Sequence, residues 1–140
     1  NDPRTFAIVF AGDSTTPVEF FGLWESVSTY TLHNKTNGIG LRDSGVPATY
    51  FHAGDARLFD DDLHVLIIRG STPDGVKVRL DDDEESNPSN SFSMVLVQPE
   101  WGRDTLVFRG EVTEILVFNE YLSDSNVNNL VDYLQTENGL

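Results

Sequence analysis

Residues Gly110 to Asp124 constrain the fold most, because an alternating run there turns directly into the start of a helix. Val112, Glu114, Leu116 and Phe118 share one phase of a two-residue period, and Thr113, Ile115, Val117 and Asn119 share the other. Both phases are mostly apolar, which predicts a central strand covered on both sides. Ser123 is placed to cap a helix, and Asp124 puts a negative charge where the helix dipole favours one. Leu122 and Val127 have the spacing of a hydrophobic staple. Val127, Leu130, Val131 and Leu134 form one apolar stripe, and Asn138-Gly139 is a fitting stop. The expected helix is about a dozen residues long and lies against the sheet next to its own strand.

The preceding chain reads as short strands separated by turn residues. Thr5 to Ala11, Val18 to Trp24, Thr29 to His33 and Ile39 to Leu41 come first, then Ala48 to His52. His64 to Arg69 is apolar in both phases and is expected to be central. Val76 to Leu80 alternates and has one wet face. Phe92 to Val97 and Thr105 to Arg109 complete the series. Gly54 to Asp62, Asp81 to Asn90 and Gln98 to Asp104 are expected loops. No strand–helix alternation and no glycine-rich phosphate loop is present.

This pattern predicts an all-β fold: a two-sheet antiparallel jelly-roll sandwich with one C-terminal amphipathic helix, residues 1–140 forming a single domain. The 140 residues suffice to bury a core, and 15 aromatic residues help fill it. There is no cysteine, so neither disulfides nor thiol chemistry contribute. The start at Asn1 is expected to reflect excision from a larger protein. The net charge of −14 argues against nucleic acid, and against anionic membranes or acidic polysaccharides as electrostatic partners. No apolar run approaches a membrane span, so no insertion is expected.

The stretch carried by Gly110, Val112, Glu114, Ile115, Leu116, Val117, Phe118, Asn119, Leu122, Ser123 and Asp124 resembles the C-terminal signature of the concanavalin A-like lectin/glucanase superfamily. It is most similar to bacterial laminin-G-like domains. The resemblance is good over Gly110 to Leu140 and loose elsewhere. It implies the jelly roll, a secreted or cell- or virion-surface location, and ligands among sugars, proteins or membranes, often with calcium. It fixes no single ligand. Related domains often carry a short Asp-Gly hairpin turn where this chain has the acidic stretch after Leu80.

Three groups of residues bear on chemistry. Asp81, Asp83 and Glu85, within an acidic run of five, have the alternating spacing that lets carboxylates converge on calcium, which takes about six to eight oxygen ligands. Asp13 and Asp60-Asp61-Asp62 are weaker candidates, and a solvated loop is the plain alternative for each. Asp81-x-Asp83-x-Glu85 also resembles the acidic triplet of the glucanase branch. It begins with the wrong acid and lacks a flanking aromatic platform, so no hydrolase is expected. The ligand candidates are Trp101, with Arg103 and Glu100 beside it, and Tyr30, His33 and Asn34, which with Asn37, Tyr50 and His52 would line a polar, aromatic groove. A loop Trp either stacks on a sugar or closes the sheet edge. Trp24 reads as core, and Glu114 as a fold position satisfied by an Arg or a backbone amide. The expected function is a non-catalytic module for a carbohydrate or surface glycan, with calcium as a candidate cofactor. The alternative is a structural or protein-interaction module, such as an adhesin spacer or a virion decoration or receptor-binding domain.

Overall fold

The computed structural model describes residues 4–14, 21–24, 29–32, 38–42, 49–71, 74–88, 98–100, 102–103, 106–107 and 109–140. These residues are mostly β-strand, with one C-terminal α-helix. The strands are β1 (Arg4–Gly12), β2 (Phe21–Trp24), β3 (Thr29–Leu32), β4 (Ile39–Arg42), β5 (Thr49–Phe51), β6 (His64–Ser71), β7 (Gly75–Leu80), β8 (Asp83–Asn87), β9 (Gln98–Glu100), β10 (Gly102–Arg103), β11 (Leu106–Val107) and β12 (Gly110–Phe118). A 3-10 helix covers Ala56–Phe59, and α1 covers Asp124–Asn138. The chain divides into two compact units. The first comprises Asn1–Phe10, Leu63–Met94 and Glu111–Leu140; the second comprises Ala11–Asp62 and Val95–Gly110.

The first unit is a five-stranded sheet in the order β12-β1-β6-β7-β8, with α1 on one face. Strand β6 is central, as its two apolar phases require, and pairs antiparallel with β1 and β7. Register puts Ala7 beside Ile67 and Val9 beside Val65. These four pack with Leu122, Val127, Val131 and Leu134 of the helix segment into one buried cluster. Phe6, Ile8, Phe10, Leu66, Ile68, Val76, Val78 and Leu80 alternate with them and are equally buried, so the sheet is apolar on both faces.

The helix starts as its sequence dictates. The Ser123 hydroxyl accepts from the Asn126 amide at 3.2 Å, and Leu122 and Val127 are both buried. The helix runs 15 residues, slightly longer than expected, and ends on Gly139 at φ 73°.

Three expectations for this unit are corrected. Strand β12 closes one end of the described sheet instead of lying at its centre, and Val117 is 53% exposed. Only Leu116 and Phe118 pack against the helix cluster. Glu114 is met by the Asn138 side chain at 3.5 Å, not by an Arg or a backbone amide. The acidic stretch after Leu80 is not a long loop. Leu80 pairs with Asp83 across a two-residue turn, and Asp83–Asn87 continues as β8 along β7. Asp81 supplies the positive φ (51°) that such hairpin turns need. Acidic residues are poor strand formers, but pairing with the buried Val76, Val78 and Leu80 overrides that weak preference.

Candidate functional site

The second unit holds the candidate surface, on the sheet ordered β5-β4-β3-β2-β9, whose neighbouring strands are all antiparallel. Gly38 leads into β4 at φ 74°, and a Cβ there would fall 2.3 Å from the Phe51 carbonyl oxygen, so the approach of β5 requires glycine. Ile39 then pairs with Phe51, and both are buried. One residue along, Gly40 pairs with Tyr50, which is 42% exposed. Pleating therefore gives this sheet a buried face and a second face that carries Tyr50.

The register extends that second face as a row across all five strands: Tyr50, Gly40, Thr31, Gly22, Glu100. The adjoining row in the same phase is Arg42, Thr29, Trp24, Gln98. Gly40 is paired regularly on both sides and has no positive φ, so neither a bulge nor a turn accounts for it. A strand glycine of this kind marks a place where another group comes close to the backbone. Gly40 is itself buried, and Tyr50 is the aromatic residue that pairing sets directly opposite.

The sequence-based ligand candidates separate on this sheet. Glu100 sits on the Tyr50 row. Tyr30 does not: it pairs with Leu23 and Leu41, and Leu41 with Thr49, which places it in the phase of Ile39 and Phe51. Phase between neighbouring strands is set by turn length, which an alternating pattern within each strand does not reveal. The backbone register sets Trp24 in the phase of Gly40 and Tyr50. His52 is buried, at φ 50°, with Nδ1 4.0 Å from the Asp55 carboxylate, so it does not line an open groove. Arg103 lies on β10 and pairs with Leu106, and Gln98–Glu100 is strand β9, so Gln98 to Asp104 is not simply a loop. Trp101, His33, Asn34 and Asn37 lie outside the described residues.

The expected loop from Gly54 to Asp62 contains the 3-10 helix, with Leu58 and Phe59 buried. Asp55 caps it by accepting from the Arg57 amide at 3.0 Å, and the Arg57 guanidinium, 2.6 Å away, holds the Asp55 carboxyl below its ordinary pKa. Two of the acids that follow accept hydrogen bonds. Asp61 accepts from the amide and the hydroxyl of Ser14, and Asp60 accepts from the Asp62 amide at 3.0 Å.

The proposed metal ligands are placed in the first unit and do not converge. One Asp81 oxygen accepts from the Val65 amide at 2.9 Å and the other meets His64 Nδ1 at 2.8 Å. Asp83 and Glu85 lie in the same phase along β8, opposite Leu80 and Val78. Among the described residues no three His, Asp or Glu side chains form a group able to hold a metal ion. The two oxygens of the Asp81 carboxylate are engaged at the hairpin, and Asp83 and Glu85 stand along an extended strand.

Sequence reading missed the most organised polar group, which is built on Arg69. This residue ends the apolar run of β6 and is only 1% exposed. Its guanidinium donates to the Leu122 carbonyl at 2.7 Å, to Glu84 at 2.6 Å and to Asp124, and lies 5.2 Å from the centre of the Tyr121 ring. Lys77 reaches the same carboxylates, at 3.1 Å from Glu84 and 3.0 Å from Asp124. Burial opposes the charge on Arg69, but the two carboxylates outweigh it and hold the pKa raised. Lys77, with Arg69, pulls the Asp124 carboxyl below its ordinary value. Every charge here answers another, and all of them pin α1 to the sheet. The signal was available: an arginine inside an apolar strand must find acids, and Glu84 and Asp124 flank the right elements.

No helix of the described residues is long and apolar enough to cross a membrane. No family model matches the chain, and no curated protein matches it significantly.

Proposed function

We propose that this chain is a non-catalytic binding module, a lectin-like jelly-roll sandwich that recognises carbohydrate or glycoconjugate at a secreted, cell-surface or virion-surface location. The observation that carries this reading is Tyr50, a large aromatic left 42% exposed on the second face of its sheet, paired with a glycine. A sugar presents a face of C–H groups that stacks on such a ring, and its hydroxyls take hydrogen bonds from polar residues nearby. The backbone register sets Thr31 and Glu100 on the same row. The fold resemblance over Gly110 to Leu140 and the strongly acidic balance support a neutral sugar over a polyanion. The test is a glycan array probed with the intact domain in calcium and in EDTA. Equal binding of a neutral sugar in both supports the proposal, and a blank array in both removes it.

A second reading, a spacer or protein-interaction module, draws on β12. This nine-residue strand stands at the end of the described sheet and exposes Val117. It predicts a concentration-dependent oligomer by analytical ultracentrifugation.

A further inference from the structure

The end of α1 holds a chemically reactive pair, Asn138-Gly139. In Asn-Gly the glycine carries no side chain, so its backbone nitrogen can reach the side-chain amide carbon of the asparagine. The folded chain turns these two groups away from each other. Asn138 is the last residue of α1, and its Nδ2 donates to the Leu134 carbonyl at 2.8 Å, one turn back. Its Oδ1 accepts from the Thr113 hydroxyl of β12 at 2.7 Å, and Nδ2 also meets Glu114 at 3.5 Å. The side-chain amide is thus held over the preceding turn, the direction that helical side chains take. The Gly139 N–H is engaged by the Gln135 and Thr136 carbonyls in the left-handed cap.

We infer that Asn138 is a latent deamidation site: the capped end of α1 holds it unreactive, and fraying of that end releases it. When the last turn opens, the Gly139 nitrogen is free to attack Asn138 Cγ. The new N–C bond forms as the Cγ–Nδ2 bond breaks, and ammonia leaves with the proton from the glycine nitrogen. Gly139 is exposed, so water reaches the cyclic imide and opens it, at one carbonyl to aspartate and at the other to isoaspartate. The product does not fit the place it came from. A carboxylate has no hydrogen to donate to the Leu134 carbonyl, and it stands against the Glu114 carboxylate. It also puts negative charge at a helix C-terminus, where the dipole opposes it, and the last turn holds no basic residue to compensate. Each conversion loosens the joint between α1 and β12 and is not reversed by the chain itself. The site therefore records how often this end of the helix has opened.

The experiment follows the whole chain at mildly alkaline pH, in native buffer and in guanidinium chloride. Peptide mapping by mass spectrometry separates Asn138 from the other Asn-Gly pair, Asn37-Gly38. In denaturant Asn138 converts to aspartate and isoaspartate, and in native buffer its rate is lower by at least about tenfold. Thr113→Val, which removes the hydroxyl that holds Oδ1, leaves the denatured rate unchanged and raises the native rate roughly threefold to tenfold. Asn138→Asp, which mimics the product, speeds amide exchange in the last turn of α1 and around Thr113 and Glu114 by at least about threefold, while the amides of β6 stay protected. Equal rates at Asn138 in the native and denatured chain, no conversion in either, or no response to Thr113→Val overturns the gate. Unchanged exchange in Asn138→Asp overturns the loosening.

Discussion

The two five-stranded sheets use their residues in opposite ways. In the first unit, the face that meets α1 carries Arg69, Lys77 and Glu84, and each finds a partner on the chain itself. In the second, the face opposite Ile39 and Phe51 carries an aromatic left half exposed and two glycines that contribute no side chain. A polar group whose charges are met internally holds the fold. The half-exposed Tyr50 ring on the other sheet is the feature on which the binding proposal rests. The contrast warns against reading charge as function: the densest charge in this chain is a fastening.

The sharpest way to break the comparison is Arg69→Ala. Removing one member of a buried ion group typically costs about 3–5 kcal/mol, because what remains is desolvated and unpaired. The expected result is a large drop in the urea midpoint, followed by circular dichroism for α1 and by tryptophan fluorescence for the second unit, where both Trp residues lie. Coincident transitions would mean that the fastening serves both units; separated ones would confine it to the first. Leu134→Ala, in the helix cluster, is expected to cost about 2–5 kcal/mol in the same assay. Ser123→Ala removes the cap and should cost about 0.5–2 kcal/mol. Tyr50→Ala should move stability by no more than about 1 kcal/mol while abolishing sugar binding, the reverse of the Arg69 variant. A Tyr50 variant that unfolds, or an Arg69 variant that stays fully stable, would erase the distinction.

The smallest effect is in pH. The carboxyls of Asp124 and Asp55 are depressed in the folded state from an ordinary value of 3.8. Each therefore adds stability that is present above pH 3.8 and is lost as pH falls through the lower folded value. Lys77 is raised above 10.5, so its share is present below that pH and is lost at still higher pH. The melting temperature should be level through neutral pH and fall below pH 4. Asp124→Asn should make that acid limb slightly shallower, since Asp124 is largely exposed and water screens its pairing.

The helix was legible because its signals are local. The Ser123 cap, the Leu122 and Val127 staple and the Val127 to Leu134 stripe depend on residues within a few turns of each other. The central position of β6 was legible because a run apolar in both phases has few other places to go. The same argument failed for β12, since two apolar phases describe faces and say nothing of edges. Strand order is a long-range property that no alternation records. Asp83–Asn87 was hidden because its strand character comes from β7, not from its own residues. The site was partly legible. The register places Glu100 in the phase of Tyr50, and it divides Tyr50 and Tyr30, read together as one groove, between two faces.

The acidic strand β8 has one further consequence. It stands at the end of the described sheet, the position at which β-rich chains can pair edge to edge. Its three consecutive acids, Asp83, Glu84 and Glu85, would face their own copies in any edge-to-edge contact between two molecules. Like charges held at strand spacing repel, so this end of the sheet resists self-association. The same run of acids therefore disfavours stacking of one copy of this β-rich chain on another.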